Sequence, residues 1–220
     1  MSGQEDHPRM LVMPITAMSV EPVTLEGQSV RLEPLSVEHH AGLCKVLLDD
    51  DIWRWIPMPV RTADEMSAYI ELQLGFRDQG SALPFVTIYK PESRVVGMTR
   101  FLSIDKAHHS IEIGSTLIGK QWQRTVVNTE AKYLMLRHAF EVLGCIRVQF
   151  QTDSLNTKSK NAILRLGATQ EGLFRNHKIC WDGRIRNTLY FSITDDEWPR
   201  VKADLEAKLA RSYPSPSGNS

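Results

Sequence analysis

Net charge is missing from this chain: 26 lysines and arginines are balanced by 26 aspartates and glutamates. The balance removes the electrostatic case for nucleic acid or an anionic membrane surface as a partner. Cysteine is scarce, with Cys44, Cys145 and Cys180 making three. An odd count at irregular spacing argues against a disulfide framework and fits free thiols in a reducing compartment, the cytoplasm. No Cys-x-x-Cys pair and no Cys/His ligand spacing occurs, so no metal is expected. No run approaches the ~20 apolar residues of a membrane span. The uncharged run Met10–Val20 matches a signal segment poorly, because Glu5 and Asp6 precede it and no small-residue cleavage site follows. The Gly-x4-Gly-Lys-Ser/Thr phosphate loop of nucleotide-triphosphate enzymes is absent as well.

What is present is a series of alternating elements. Residues 1–27 read as a loose arm and 212–220 as a disordered tail, with one domain over 28–211. Val30, Leu32 and Leu35 outline a first strand. Ser36 caps a helix to about Leu48, striped by Leu43, Cys44, Leu47 and Leu48. Asp49 to Pro59 reads as a loop carrying Trp53 and Trp55. Thr62 and Glu65 have capping-box spacing ahead of a helix that Gly80 ends. Strands over 84–89 and 95–102 flank a hairpin turn. A strand over 111–118 then leads into a helix over 128–143, apolar over most of its surface and closed by Gly144. A strand over 146–152, a helix over 157–166, strands over 169–175 and 185–193 and a last helix from Pro199 complete the chain. Helices interleave with strands, which points to one mixed sheet in an α/β domain.

Two strands, 111–118 and 146–152, each end in a polar turn that opens a helix. Helix N-termini offer free N–H groups and partial positive charge, so this pair suits a phosphate-bearing ligand along a strand edge. Charge is uneven nearby. Residues 147–186 hold eight basic side chains (Arg147, Lys158, Lys160, Arg165, Arg175, Lys178, Arg184, Arg186) against Asp153, Glu171 and Asp182. That excess reads equally as a solvated face. Cys180 beside Trp181 reads as packing rather than a nucleophile, and His138 as a core histidine.

The segments Ile111-Glu-Ile-Gly-Ser-Thr116, Trp122-Gln-x-x-x-Val-Asn-Thr-Glu-Ala-Lys132, Asn156-Thr-Lys-Ser159, Leu166-Gly-Ala-Thr-Gln-Glu-Gly172 and Asp182-Gly-Arg-Ile-Arg-Asn-Thr-x-Tyr-Phe-Ser192 together resemble the GNAT superfamily of acetyl-CoA-dependent N-acetyltransferases. More narrowly they resemble the branch with the RimJ and RimL ribosomal-protein acetyltransferases, over about residues 28–210. The resemblance implies a mostly antiparallel sheet with splayed central strands flanked by helices.

It also implies acetyl-CoA as co-substrate. The family's Q/R-x-x-G-x-G/A pattern falls on Gln123, Arg124, Thr125, Val126, Val127 and Asn128. Val126 and Asn128 stand where glycine or alanine is usual, and Asn128 suits a helix cap. Ser115, Leu117 and Ile118 would pair with the pantetheine arm, and Asn156 would hold it from the next strand. An N–H near Leu117 would polarise the thioester carbonyl. A tyrosine that many members place seven residues after the asparagine is here Ile163, so Ser159 becomes the candidate acid. The other reading of Asn156 and Ser159 is an ordinary cap and first turn. Glu112 is the candidate base, its other reading being a cross-strand partner for a basic residue. Trp53 and Trp55 either line an acceptor pocket or pack in the core.

The implied activity is direct transfer of acetyl to a primary amine, a protein N-terminus or a small amine. Alternatives are an antibiotic- or polyamine-type acetyltransferase, and an acyl-CoA-binding module without turnover. A homodimer is expected from the same resemblance.

Overall fold

The computed structural model describes residues 18–56 and 58–211. The tail over 212–220, the first seventeen residues of the arm and most of the Met10–Val20 run lie outside the described residues. The last ten residues of the expected arm are described, and two of them are anchored in the core. Met18 is buried, and Leu25–Glu26 (β1) pairs with Val30–Pro34 (β2).

Among the described residues eight strands form one sheet in the order β1-β2-β3-β4-β5-β6-β8-β7. Beyond β1 and β2 these are Ala82–Tyr89 (β3), Arg94–Asp105 (β4), Ser110–Ile118 (β5), Arg147–Asp153 (β6), Thr169–Ile179 (β7) and Ile185–Thr194 (β8). Only β5 and β6 pair in parallel, and every other neighbouring pair is antiparallel. The helices are His40–Leu47 (α1), Asp50–Trp53 (α2), Ala63–Asp78 (α3), Val126–Glu141 (α4), Thr157–Leu166 (α5) and Trp198–Leu209 (α6).

Local chemistry accounts for the boundaries. Thr62 and Glu65 form the reciprocal capping box ahead of α3, and Gly80 follows its end at φ 68°. The segment read as a loop after Leu48 contains α2, because Asp49 caps it by accepting the Asp51 N–H at 3.0 Å. Aspartate there starts a helix rather than stopping one. Thr125, not Asn128, caps α4: its hydroxyl accepts from the Val127 N–H, and Asn128 is the helix's third residue.

Two cores lie on opposite faces of the sheet. One joins α4 and α6 to inward residues such as Phe85, Phe101, Ile111, Ile113, Val148 and Phe191. The other joins α1 and α3 to Val86, Ile88, Met98 and Leu117. Ile113 and Leu117 lie four apart on β5 and yet belong to different faces. Strand alternation has period two, so a residue must be inserted between them. The register shows it: Met98 faces Leu117 but Arg100 faces Gly114, leaving Ser115 and Thr116 opposite Thr99 alone. Ser115 takes a left-handed φ of 48° to make this bulge.

Candidate active site

β5 and β6 touch only where Ser110–Glu112 meet Arg147–Gln149. Beyond that point neither strand pairs with the other, so the sheet opens into a wedge. One lip is the bulged end of β5, and α4 and α5 begin at the ends of the two diverging strands. Gly119 N–H donates to the Val96 carbonyl. By antiparallel alternation, Leu117, two residues back, also turns its backbone groups toward β4. The N–H of Leu117 itself is therefore directed at β4, away from the wedge. Ile118 faces the wedge, where its carbonyl accepts from Gln123 Nε2 at 2.9 Å.

A buried amine fastens the bulge. Lys132 of α4 is 5% exposed and donates to Thr99 Oγ1 at 2.8 Å and Thr116 Oγ1 at 2.6 Å. The two hydroxyls lie 2.9 Å apart. A neutral amine has two N–H groups, matching the two acceptors, whereas an ammonium brings a third. Burial alone pulls the Lys132 pKa down to about 7. Glu130, one turn-face away, instead accepts the Ser29 N–H and ties β2 to the same helix.

The first turn of α4 carries no acidic residue. The residue with strained backbone in this loop is Arg124, at φ 65°, two positions before Val126. Val126 begins the helix and so needs no glycine-like conformation. Lys158 reaches the Gln123 side chain from α5, closing the two helix N-termini over one spot. Lys120 points away, paired with Asp49 and Asp51 at 2.9 and 2.8 Å.

At α5, Asn156 accepts the Ser159 N–H at 3.0 Å and is the helix cap. Its side-chain oxygen is therefore engaged, while its NH₂ group remains for a ligand. Ser159 is half-buried in the first turn. Ile163 is in the core, as its apolar side chain dictates.

Below the wedge, on the face shared with α1 and α3, lies a polar floor. Glu112 is 5% exposed and accepts from Ser103 Oγ at 3.1 Å and Gln151 Nε2 at 2.8 Å. Burial raises its pKa, opposed by the Ser103 hydrogen bond and the nearby charges of Lys178, Arg100 and Arg186. Directly opposed strand residues share a face. Gln151 opposes Tyr190, Asp153 opposes Thr188 and Lys178 opposes Arg186, so all join this floor. Arg100 bonds to Gln73 of α3 and lies 5.6 Å from the Phe76 ring.

Two tryptophans frame the floor. Trp55 lies under the Arg184 guanidinium at 5.6 Å, and Trp181 under that of Arg61 at 5.3 Å. These contacts join the loop after α2 to the β7–β8 hairpin. Arg184 also donates to buried Asp153 at 2.7 Å. Trp53 is fully buried, its indole N–H on the Leu47 carbonyl at 2.7 Å and its ring edge-on to Tyr69. Trp53 is therefore core, which corrects its acceptor-pocket reading, and the frame is made by Trp55 and Trp181. The Lys132–Thr99–Thr116 cluster was not expected, and Lys178 and Arg186 were expected only as members of the basic excess. A lysine on a helix that is apolar over most of its surface was the available signal for the first. Among the described residues there is no group of three or more His, Cys, Asp or Glu side chains placed to hold a metal.

Comparison with known proteins gives consistent results. A family model described as "Acetyltransferase (GNAT) domain" matches residues 29–169. The chain is 25% identical over 124 residues to the [ribosomal protein uS5]-alanine N-acetyltransferase of Escherichia coli (strain K12), covering 56% of this chain and 63% of that relative. The match thus spans less than two thirds of the relative's length. The crystal structure of a GCN5-related N-acetyltransferase from Brucella melitensis superposes with TM-score 0.81 at 33% identity, covering 87% of each chain. Mycobacterium smegmatis RimJ in complex with CoA-disulfide shares the fold at TM-score 0.71 and 23% identity, covering 81% of this chain and 88% of that one.

Proposed function

The chain belongs to the acetyltransferase (GNAT) family, and from that premise we propose that it transfers acetyl from acetyl-CoA to a primary amine by direct attack on the thioester. The observation that carries this is the wedge between β5 and β6, with a bulged lip and two helix N-termini at its mouth. The first-turn N–H groups of Val126 and Asn128, with Gln123, Arg124, Thr125, Val127 and Lys158, suit the pyrophosphate. Ser115, Ile118 and Asn156 suit the pantetheine arm. Glu112 takes the amine's proton, directly or through water, and burial raises its affinity for that proton. Ser159 protonates the leaving thiolate, since Ile163 has no proton to give. Holding donor and acceptor together supplies much of the rate, with effective molarities on the order of 10⁵ M or more.

The acceptor is a protein N-terminus or a small amine. The ribosomal-protein alanine acceptor in the relative's name supports the first. Three free cysteines support a cytoplasmic location. A homodimer is favoured by apolar side chains left exposed on the β7–β8 hairpin, Phe174, Ile179 and Ile185 among them. Calorimetry with CoA, followed by thiol release from acetyl-CoA with an amine panel, tests the activity. Absence of CoA binding at millimolar concentration overturns it. Binding without turnover of any amine supports the acyl-CoA-binding module instead.

A further inference from the structure

The polar floor has a charge imbalance that the transfer chemistry does not use. Lys178 and Arg186 are directly opposed on β7 and β8. Like charges at directly opposed positions repel, and a fold keeps them together at a cost. Their surroundings relieve it only in part: Lys178 is exposed to solvent, but Arg186 is not. Arg186 is 8% exposed, with Nε on Thr188 Oγ1 at 3.0 Å, and its nearest carboxylate oxygen, on Asp153, is 4.0 Å away. That same oxygen already takes Arg184 at 2.7 Å. Lys178 has no carboxylate oxygen in ion-pair reach among the described residues; the one carboxylate acting on it, Glu112, acts at longer range. Arg100 adds a third cation to the same group, its Nε buried with no hydrogen-bond partner. Three cations therefore act on Glu112, while the floor's other buried carboxylate, Asp153, is held by Arg184, and Glu112 is the group assigned to the amine.

We propose that the acceptor carries a carboxylate a few atoms from its amine, and that Lys178 and Arg186 receive it while Glu112 faces the amine. This rests on the acetyltransferase reading of the site. The floor then suits a zwitterion: one anionic position for the amine, and cationic ones beside it for the acid. A polyamine would meet the cations with nothing to offer them. A free amino acid and a peptide N-terminus with an acidic residue close behind share the required chemistry. Charge-assisted hydrogen bonds to such a group are worth roughly ten- to hundredfold in affinity.

The test uses the full chain and thiol release from acetyl-CoA, comparing kcat/KM across four acceptors. These are free amino acids, the same amino acids as C-terminal amides, alanyl peptides with neutral or acidic second residues, and spermidine. The expected result is a tenfold or greater preference for the carboxylate-bearing member of each pair. Which pair shows it separates the free amino acid from the acidic N-terminus. Lys178 lies on an edge strand, so Lys178→Gln should fold. It should erase the preference through acceptor KM, leaving the KM for acetyl-CoA unchanged. Lys178→Glu should favour spermidine. Equal turnover of acid and amide, a preference untouched by Lys178→Gln, or no turnover of any carboxylate-bearing amine by protein that binds CoA overturns the proposal. Failure to bind CoA at all would instead overturn the transferase reading beneath it.

Discussion

Lys132 Nζ stands 2.6 Å from Thr116 Oγ1, so an amine on α4 grips the bulged end of β5. The helix whose N-terminus faces the proposed pyrophosphate site is thereby tied to the strand proposed to hold the thioester arm. The tie runs through hydroxyls rather than a carboxylate, and it is buried. It therefore favours the uncharged amine, and that has consequences for stability.

The folded-state pKa of Lys132, about 7, lies below its ordinary 10.5. Between those values the unfolded chain holds a proton that the folded chain does not. Stability contributed by this group therefore rises as pH rises from about 7 toward 10.5, and the penalty is full below 7. Lys132→Met removes the titration. Urea unfolding at pH 7 should show the variant more stable by about 2–5 kcal/mol, with the gap closing toward pH 10. An unchanged gap across that range would mean that Lys132 is charged in the fold. CoA affinity should fall in the variant, because the bulge loses its fastening.

Glu112→Gln keeps the shape and the hydrogen bonding near Ser103 but cannot take a proton. We expect kcat to fall by about 10²–10⁴ with acetyl-CoA KM little changed. Because burial raises the Glu112 pKa, the acid limb of the wild-type rate profile should lie above the ordinary carboxylate range. A pH–rate profile with no such limb removes Glu112 from the base role.

Arg124 holds φ 65°, which costs a non-glycine residue about 1 kcal/mol. Arg124→Gly relieves that strain while adding chain entropy to the unfolded state, so stability should move by under about 1 kcal/mol. Losing a guanidinium beside the phosphates should nonetheless weaken CoA binding several-fold by calorimetry. Unchanged affinity would place the pyrophosphate elsewhere.

Ser159→Ala separates acid from anchor. A hydroxyl that only holds the ligand acts equally on ground and transition states, so its loss appears in KM. A proton donor acts as the C–S bond breaks, so its loss appears in kcat. We expect a kcat drop of about 10- to 100-fold, near the low end of general acid catalysis because thiolate leaves readily. Near wild-type kcat would return protonation to solvent.

Light scattering should report about twice the 25.0 kDa chain mass. Phe174→Glu, on the exposed hairpin, should shift it to one. A 25.0 kDa mass for the unaltered protein at all concentrations contradicts the dimer.

The element order of the domain and most helix ends are local matters, and they were legible in the sequence. Thr62 with Glu65, Gly80, Gly144 and Gly167 act through their own backbone and near neighbours, so one-dimensional spacing reveals them. The family followed from motifs of the same local kind. Short-range chemistry misled at Asp49, which starts α2 rather than stopping a helix, and at Asn128, which Thr125 displaces as the cap of α4.

Tertiary structure alone decided the rest. The sense of β5 against β6, their divergence after Glu112 and the bulge at Ser115 depend on pairing between distant segments. Periodicity within one strand cannot show an inserted residue until its partner is known. The assignment of Trp53 to the core and of Trp55 and Trp181 to the floor's frame was settled in the same way. So was the charge imbalance around Glu112. Net charge is a sum over the chain, but the field at a site depends on which strands bring Arg100, Lys178 and Arg186 together.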